Sequence, residues 1–402
     1  MKKIASIIMG TALAMFAVGC TRGESSGDWI SDAGYSSHPV AEDVAGDYGP
    51  GGGNNGGGGE AGVITAAEWN DLNNWKFWGD VMSGDYSKMN TYWGLSTQKR
   101  IAVKTVTSDG KPAKQIPVKL LKGNDILWET VTDNVGEASL WLGVEDIQST
   151  VRAEDCSISI AGAVQDGAPK MWAWSQEEAE VNVYTVQKAE ESNVVDIAFI
   201  VDATGSMTDE IAFLKKDLQD ILKQASEADT DKKIFTGTVF YRDVDDTYVT
   251  RTSPFTSDIP ATINYIGEQT ADGGGDLPEA VHTALEVSLT ELQWHSSAYS
   301  KMAFLILDAP AHVDHQGVIA SLQKSIREFA ARGIKLIPVF CSSGDKTCEF
   351  MCRQFAILTG GTYVFLTDDS GVGEEHVQAT VGKYQVEHLN ALMLRLITKY
   401  IS

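Results

Sequence analysis

Two stretches set the pattern of the carboxy-terminal half. Val194 to Val201 is apolar apart from Asp196 and closes on Asp202, and Ala303 to Leu307 is wholly apolar and closes on Asp308. Runs this short and this apolar predict strands buried on both faces, as in a parallel sheet covered by helices. Between and after them the spacing turns helical. Ile211, Leu214, Leu218, Ile221 and Leu222 recur along Asp209 to Ala225, enough to cover one sheet face. Ala280, Val281, Ala284, Leu285 and Leu289 do the same after a glycine-rich loop, with Pro278 placed to start that helix. Strands are expected at Ile234 to Tyr241, Leu336 to Phe340 and Tyr363 to Leu366, and helices at Val318 to Ala331, Cys348 to Leu358 and Leu389 to Ile401. This alternation predicts an α/β domain over 191–402 with a doubly wound, mostly parallel sheet.

Upstream the period changes to two. Ile101 to Thr107 and Ile116 to Leu121 alternate as half-buried strands do, with the turn Ser108-Asp-Gly-Lys-Pro112 between them. Further short strands at Leu127 to Val131, Ala138 to Leu142 and Val181 to Val186 predict a small all-β sandwich over 99–190. Residues 63–98 hold Trp69, Trp75, Trp78, Tyr92 and Trp93 and read as an aromatic-rich helical segment. The spacing of Trp75, Trp78 and Val81 favours a helix docked on its own domain over an open glycan or peptide groove. Residues 21–62 are rich in Gly, Ser and Asp and cannot bury enough apolar surface to fold, so they read as a flexible tether spanning roughly 35 Å.

The first twenty residues change the compartment. Lys2 and Lys3 precede an apolar run from Ile4 to Val18 that is short for a membrane span, the pattern of a secretory signal. Ala17-Val-Gly-Cys20 resembles the lipobox of bacterial lipoproteins, which implies lipidation at Cys20 and a place in the cell envelope, at the outer membrane before the inner. The formal net charge of −23 argues against nucleic acid and anionic membrane surfaces as partners, leaving the lipid as the only membrane contact. With Cys20 set aside, Cys156, Cys341, Cys348 and Cys352 remain, and four cysteines allow three complete pairings. Cys341 closes a strand just before the helix bearing Cys348 and Cys352, so a bridge from Cys341 to one of these two is expected.

The chemistry lies where the apolar strands stop. Asp202, Thr204 and Ser206 alternate beyond one strand, Gly205 frees the backbone to turn, and Asp276 and Asp308 arrive from two later loops. In an open α/β sheet all would meet in one crevice at the strands' carboxyl ends, and a set of oxygen ligands suits a divalent cation, Mg²⁺ before Mn²⁺ or Ca²⁺. Taken singly, each acid would serve as a helix cap or turn former.

Asp202-x-Thr204-x-Ser206 resembles the metal-ion-dependent adhesion site of von Willebrand factor A domains, with Asp276 and Asp308 at the positions of that family's second and third metal-binding loops. The resemblance implies a protein ligand that offers an acidic side chain to the metal. Asp276 stands where most members have threonine, and the extra carboxylate would bind a cation more tightly while leaving it less electrophilic. The strands of 99–190, with Asp109-Gly110 and Thr132-Asp133-x-x-Gly136, resemble carboxypeptidase-regulatory-like or immunoglobulin-like modules, which implies a spacer. His312-Val-Asp314-His315 invites an enzyme reading, as zinc ligands or acid and base in an envelope hydrolase. A loop rim around the metal is preferred there, because Pro310 favours a loop and no nucleophile elbow or phosphate-binding loop is present, so binding is expected in place of catalysis.

Overall fold

A computed structural model describes residues 61–84, 86–187, 192–228, 231–275, 277–341, 344–371, 376 and 378–402. The signal, Cys20 and the tether to residue 60 lie outside them, as does Asp276. The described chain opens with β1 (Thr65–Trp69) and two short helices, α1 (Trp75–Ser83) and α2 (Ser87–Trp93). A β-rich region follows, with β2 (Lys99–Val106), β3 (Pro117–Lys122), β4 (Asp125–Val131), β5 (Glu137–Leu142), β6 (Ser157–Ile160), β7 (Ala163–Val164) and β8 (Val181–Thr185).

Strand and helix then alternate: β9 (Val194–Asp202), α3 (Thr208–Ala228), β10 (Lys233–Tyr241), β11 (Thr250–Thr256), α4 (Ile259–Glu268), α5 (Val281–Thr290) and β12 (Ser300–Leu307). They continue through α6 (Val318–Ala331), β13 (Ile334–Phe340), α7 (Lys346–Thr359), β14 (Tyr363–Leu366), β15 (Val386–His388) and α8 (Leu389–Ile401). Eight strands make one sheet in the order β11-β10-β9-β12-β13-β14-β1-β15. The five from β10 to β14 in that order are parallel, and β11, β1 and β15 add antiparallel margins.

Alternate residues of β9 serve opposite faces of this sheet. Ile197, Phe199 and Val201 pack with Leu214, Leu218, Ile221 and Leu222 of α3 and with Leu392 and Leu396 of α8. Ala198 and Ile200 face the other layer, where Leu285, Leu322, Phe329 and Phe355 fill the space under α5, α6 and α7. Each large apolar side chain buried in this way contributes about 1.5–3 kcal/mol, so both faces are strongly specified.

The β-rich region forms two sheets, β5-β2-β8 and β4-β3-β6-β7, whose inward side chains Val103, Leu140, Val118, Leu120 and Ile158 belong to one core. It sits against α6, where the Arg327 guanidinium lies 4.9 Å from the Trp128 ring centre and donates to the Leu127 carbonyl at 2.8 Å.

Three expectations are corrected. The segment 63–98 is helical only after its first strand, because β1 leaves it and inserts between β14 and β15 of the large sheet. Its Trp75, Trp78 and Trp93 are almost wholly buried, in keeping with the docked-helix reading. Helix α5 begins at Val281, not at Pro278, because the Glu279 backbone pairs with the strand-like stretch after β12 and donates to Pro310 O at 2.8 Å. Cys341, Cys348 and Cys352 are free buried thiols. The physical reason is that Cys341 packs into the α3/α8 side of the sheet while Cys348 and Cys352 pack into the α7 side.

The loop after β1 is tied to α7. Asp71 there makes a two-pronged ion pair with the fully buried Arg353 of α7, at 2.9 and 2.6 Å, and Arg353 also donates to Thr380 O at 2.6 Å.

Candidate metal centre

The register of the parallel strands brings the polar residues to one level. Asp202 pairs across β9 and β10 with Tyr241, and Val201 pairs across β9 and β12 with Ile306, so Asp308 emerges beside Asp202 at the carboxyl edge. Asp202 is fully buried, and its Oδ1 accepts from the Thr204 amide at 2.9 Å and from Thr204 Oγ1 at 2.7 Å. Thr204 Oγ1 lies 3.1 Å from Ser206 Oγ, which makes a short chain of oxygens leading from the buried acid outward. The second loop is laid over the first by backbone bonds from Asp272 N to Ala203 O at 3.1 Å and from Gly205 N to Gly273 O at 3.0 Å. A side chain on Gly205 would strike the Gly273 carbonyl, which is why that position carries none.

Burial and charge are in conflict in this crevice. Asp202 Oδ2 is buried with no hydrogen-bond partner among the described residues, and one oxygen of Glu279 shares that condition. The Tyr241 hydroxyl is near enough to lower the Asp202 pKa slightly but does not reach hydrogen-bonding geometry. Burial first, and then the neighbouring Asp308, push the Asp202 carboxyl well above the usual range. Burial and the surrounding acids Asp202, Asp243, Asp308 and Asp246 push Glu279 up to about 9. A cation is the natural neutraliser of such a set: the donors are oxygens, one is orphaned, and the acids lie within electrostatic reach of one another.

Residues 196–333 match the family model described as the von Willebrand factor A domain. They form a von Willebrand factor A domain. Among curated proteins, an ariadne-like RING finger protein of Acanthamoeba polyphaga mimivirus is 40% identical over 91 residues, 23% of this chain, and the chain spans only 9% of that protein's length. Among solved structures, the conserved hypothetical protein BatB of Bacteroides thetaiotaomicron is similar at 14% identity and a TM-score of 0.36, over 51% of this chain and 98% of that one. An aerotolerance-related membrane protein of Bacteroides fragilis NCTC 9343, carrying multiple mutations to serine, aligns at 13% identity and a TM-score of 0.34 over 52% and 98%.

The crevice of the von Willebrand factor A domain holds more acids than the spacing of the sequence picks out. Glu279 is 2% exposed, and a side chain on Gly274 would touch both its Oε1 and Thr204, so it belongs to the same crevice. Nothing in its local pattern marked it, since its place depends on the distant pairing with Pro310. Asp243 and Asp246 lie in the loop after β10, where their spacing alone suggests only a solvated acidic turn beside Arg242. Asp246 instead accepts from Gly274 N at 2.9 Å, holding the second loop, and Asp243 accepts from the buried His312 at 2.6 Å. Arg242 turns back to Thr270 O at 2.9 Å.

Proposed function

We propose that this von Willebrand factor A domain is a binding module whose divalent cation is held by Asp202, Thr204, Ser206 and Asp308, with Asp276 completing the set. The observation that supports this most is the buried Asp202, whose Oδ1 is fixed by Thr204 at the inner end of a chain of hydroxyls while Oδ2 has no hydrogen-bond partner among the described residues. In this reading Asp202 positions the cation, Thr204 and Ser206 offer hydroxyl oxygens, and Asp308 supplies the balancing charge from β12. Bound Mg²⁺, or Mn²⁺ or Ca²⁺ in its place, supplies a positive pole for an acidic side chain of a protein partner. Lipid at Cys20 would tie the chain to the envelope and the tether would hold the domain clear of the surface. Among the described residues no helix is long and apolar enough to cross a membrane.

Cross-linking in intact cells tests the proposal. Wild type should capture a protein that Asp202→Ala and EDTA-treated cells do not. The same partner captured equally by wild type and variant would refute the metal-dependent reading.

A further inference from the structure

Four residues beyond Asp308, the rim of the crevice carries a second set of donors of different chemistry. His312, Asp314 and His315 each offer a ligand atom, and these atoms lie within 4.8 Å of one another. The His312 and His315 rings are stacked with centres 4.2 Å apart and planes 2° from parallel. We propose that His312, Asp314 and His315 form a transition-metal site, filled by Zn²⁺, separate from the oxygen-only site and sharing the rim of its crevice.

The strongest support is the way His312 is held. The ring is 2% exposed and its Nε2 stands 2.6 Å from Asp243 Oδ1, so Nε2 carries the proton and donates it. That tautomer leaves Nδ1 with its lone pair directed to the side where Asp314 Oδ1 stands 4.0 Å away. A histidine with one nitrogen fixed by a carboxylate and the other aimed at a second acid is the arrangement metal-binding histidines use, because the carboxylate orients the ring and raises its basicity. The backbone is equally fixed, since Pro310 O accepts from Glu279 N at 2.8 Å.

Asp314 and His315 are exposed, so they can rotate inward to the Zn–N and Zn–O lengths of about 2.0–2.2 Å while His312 stays in place. Three protein ligands leave a fourth position open toward solvent. Donor softness would sort the two sites, because two imidazoles and a carboxylate favour zinc over magnesium, and an all-oxygen set favours the reverse.

The test uses the full chain, stripped of metal and held in excess Mg²⁺, with Zn²⁺ as the probe in calorimetry and Co²⁺ as a spectroscopic substitute. Wild type should bind one equivalent of Zn²⁺ and give the intense visible bands of four-coordinate Co²⁺. His315→Ala, at an exposed position, should lose both with its metal-free melting temperature unchanged. Asp243→Asn should weaken zinc about 10–100-fold, while Asp202→Ala should keep it, which separates this site from the oxygen-only one. Zn²⁺ binding that is absent from wild type under excess Mg²⁺, or equal in wild type and His315→Ala, would overturn the proposal.

Discussion

Asp217 on α3 shows how a single carboxylate can work against the fold that buries it. It is 1% exposed, accepts from Gly62 N at 2.6 Å through Oδ1, and has no hydrogen-bond partner for Oδ2 among the described residues. Burial pushes its pKa up to about 6, against the pull of the Gly62 amide. The unfolded chain releases the same proton near pH 4. Between those values the folded state binds more protons, so stability falls as pH rises through the window and stays lower above it. Asp217→Asn keeps an acceptor for Gly62 and removes the buried charge. It should raise stability at pH 7 by about 1–3 kcal/mol and flatten the slope between pH 4 and 6, as read from urea unfolding at the two ends. The acids of the crevice differ in legibility from this one. Asp202, Thr204 and Ser206 were readable because their spacing and the preceding apolar strand lie in one short stretch. Glu279, Asp243 and Asp217 were not, since what isolates them from water is packed from elsewhere in the chain.

At the scale of elements, the strands buried on both faces were legible and the margins were not. β9 and β12 announce themselves by unbroken apolar runs, and α3 and α6 by their periodicity. β1 is five residues with two alanines, and its partner β14 lies at the other end of the chain, so local pattern gave no cue to its place in the large sheet. That pairing has a consequence for the boundary drawn at 191. A fragment spanning 191–402 would lack β1 and leave β14 with an unpaired edge beside buried Val364 and Phe365, an invitation to strand pairing between copies. It would also take Asp71 away from Arg353 and leave Glu349 as its charged partner. The fragment is expected to self-associate in size-exclusion chromatography and to melt well below a chain beginning at residue 61. A monomeric fragment with the same melting temperature would show that β1 is dispensable.

For the whole molecule, the large sheet, its two helical layers and the added β-rich region form the platform, and the loops at the carboxyl edge carry the chemistry. The crevice concentrates Asp202, Asp308 and Glu279, so the metal-free protein holds them at a cost that a divalent cation would relieve. Anything that binds only the folded state stabilises it, by about 2.7 kcal/mol at a hundredfold excess over the dissociation constant. The most direct measurement is the melting temperature of wild type and Asp202→Ala in EDTA and in excess Mg²⁺, Mn²⁺ or Ca²⁺, with metal content by elemental analysis. Wild type should melt higher with at least one of these cations, and Asp202→Ala should lose the response while its metal-free form melts no lower than wild type. An unchanged wild-type melting temperature with all three cations and no metal found, or an equal rise in the variant, would contradict a cation site built on Asp202.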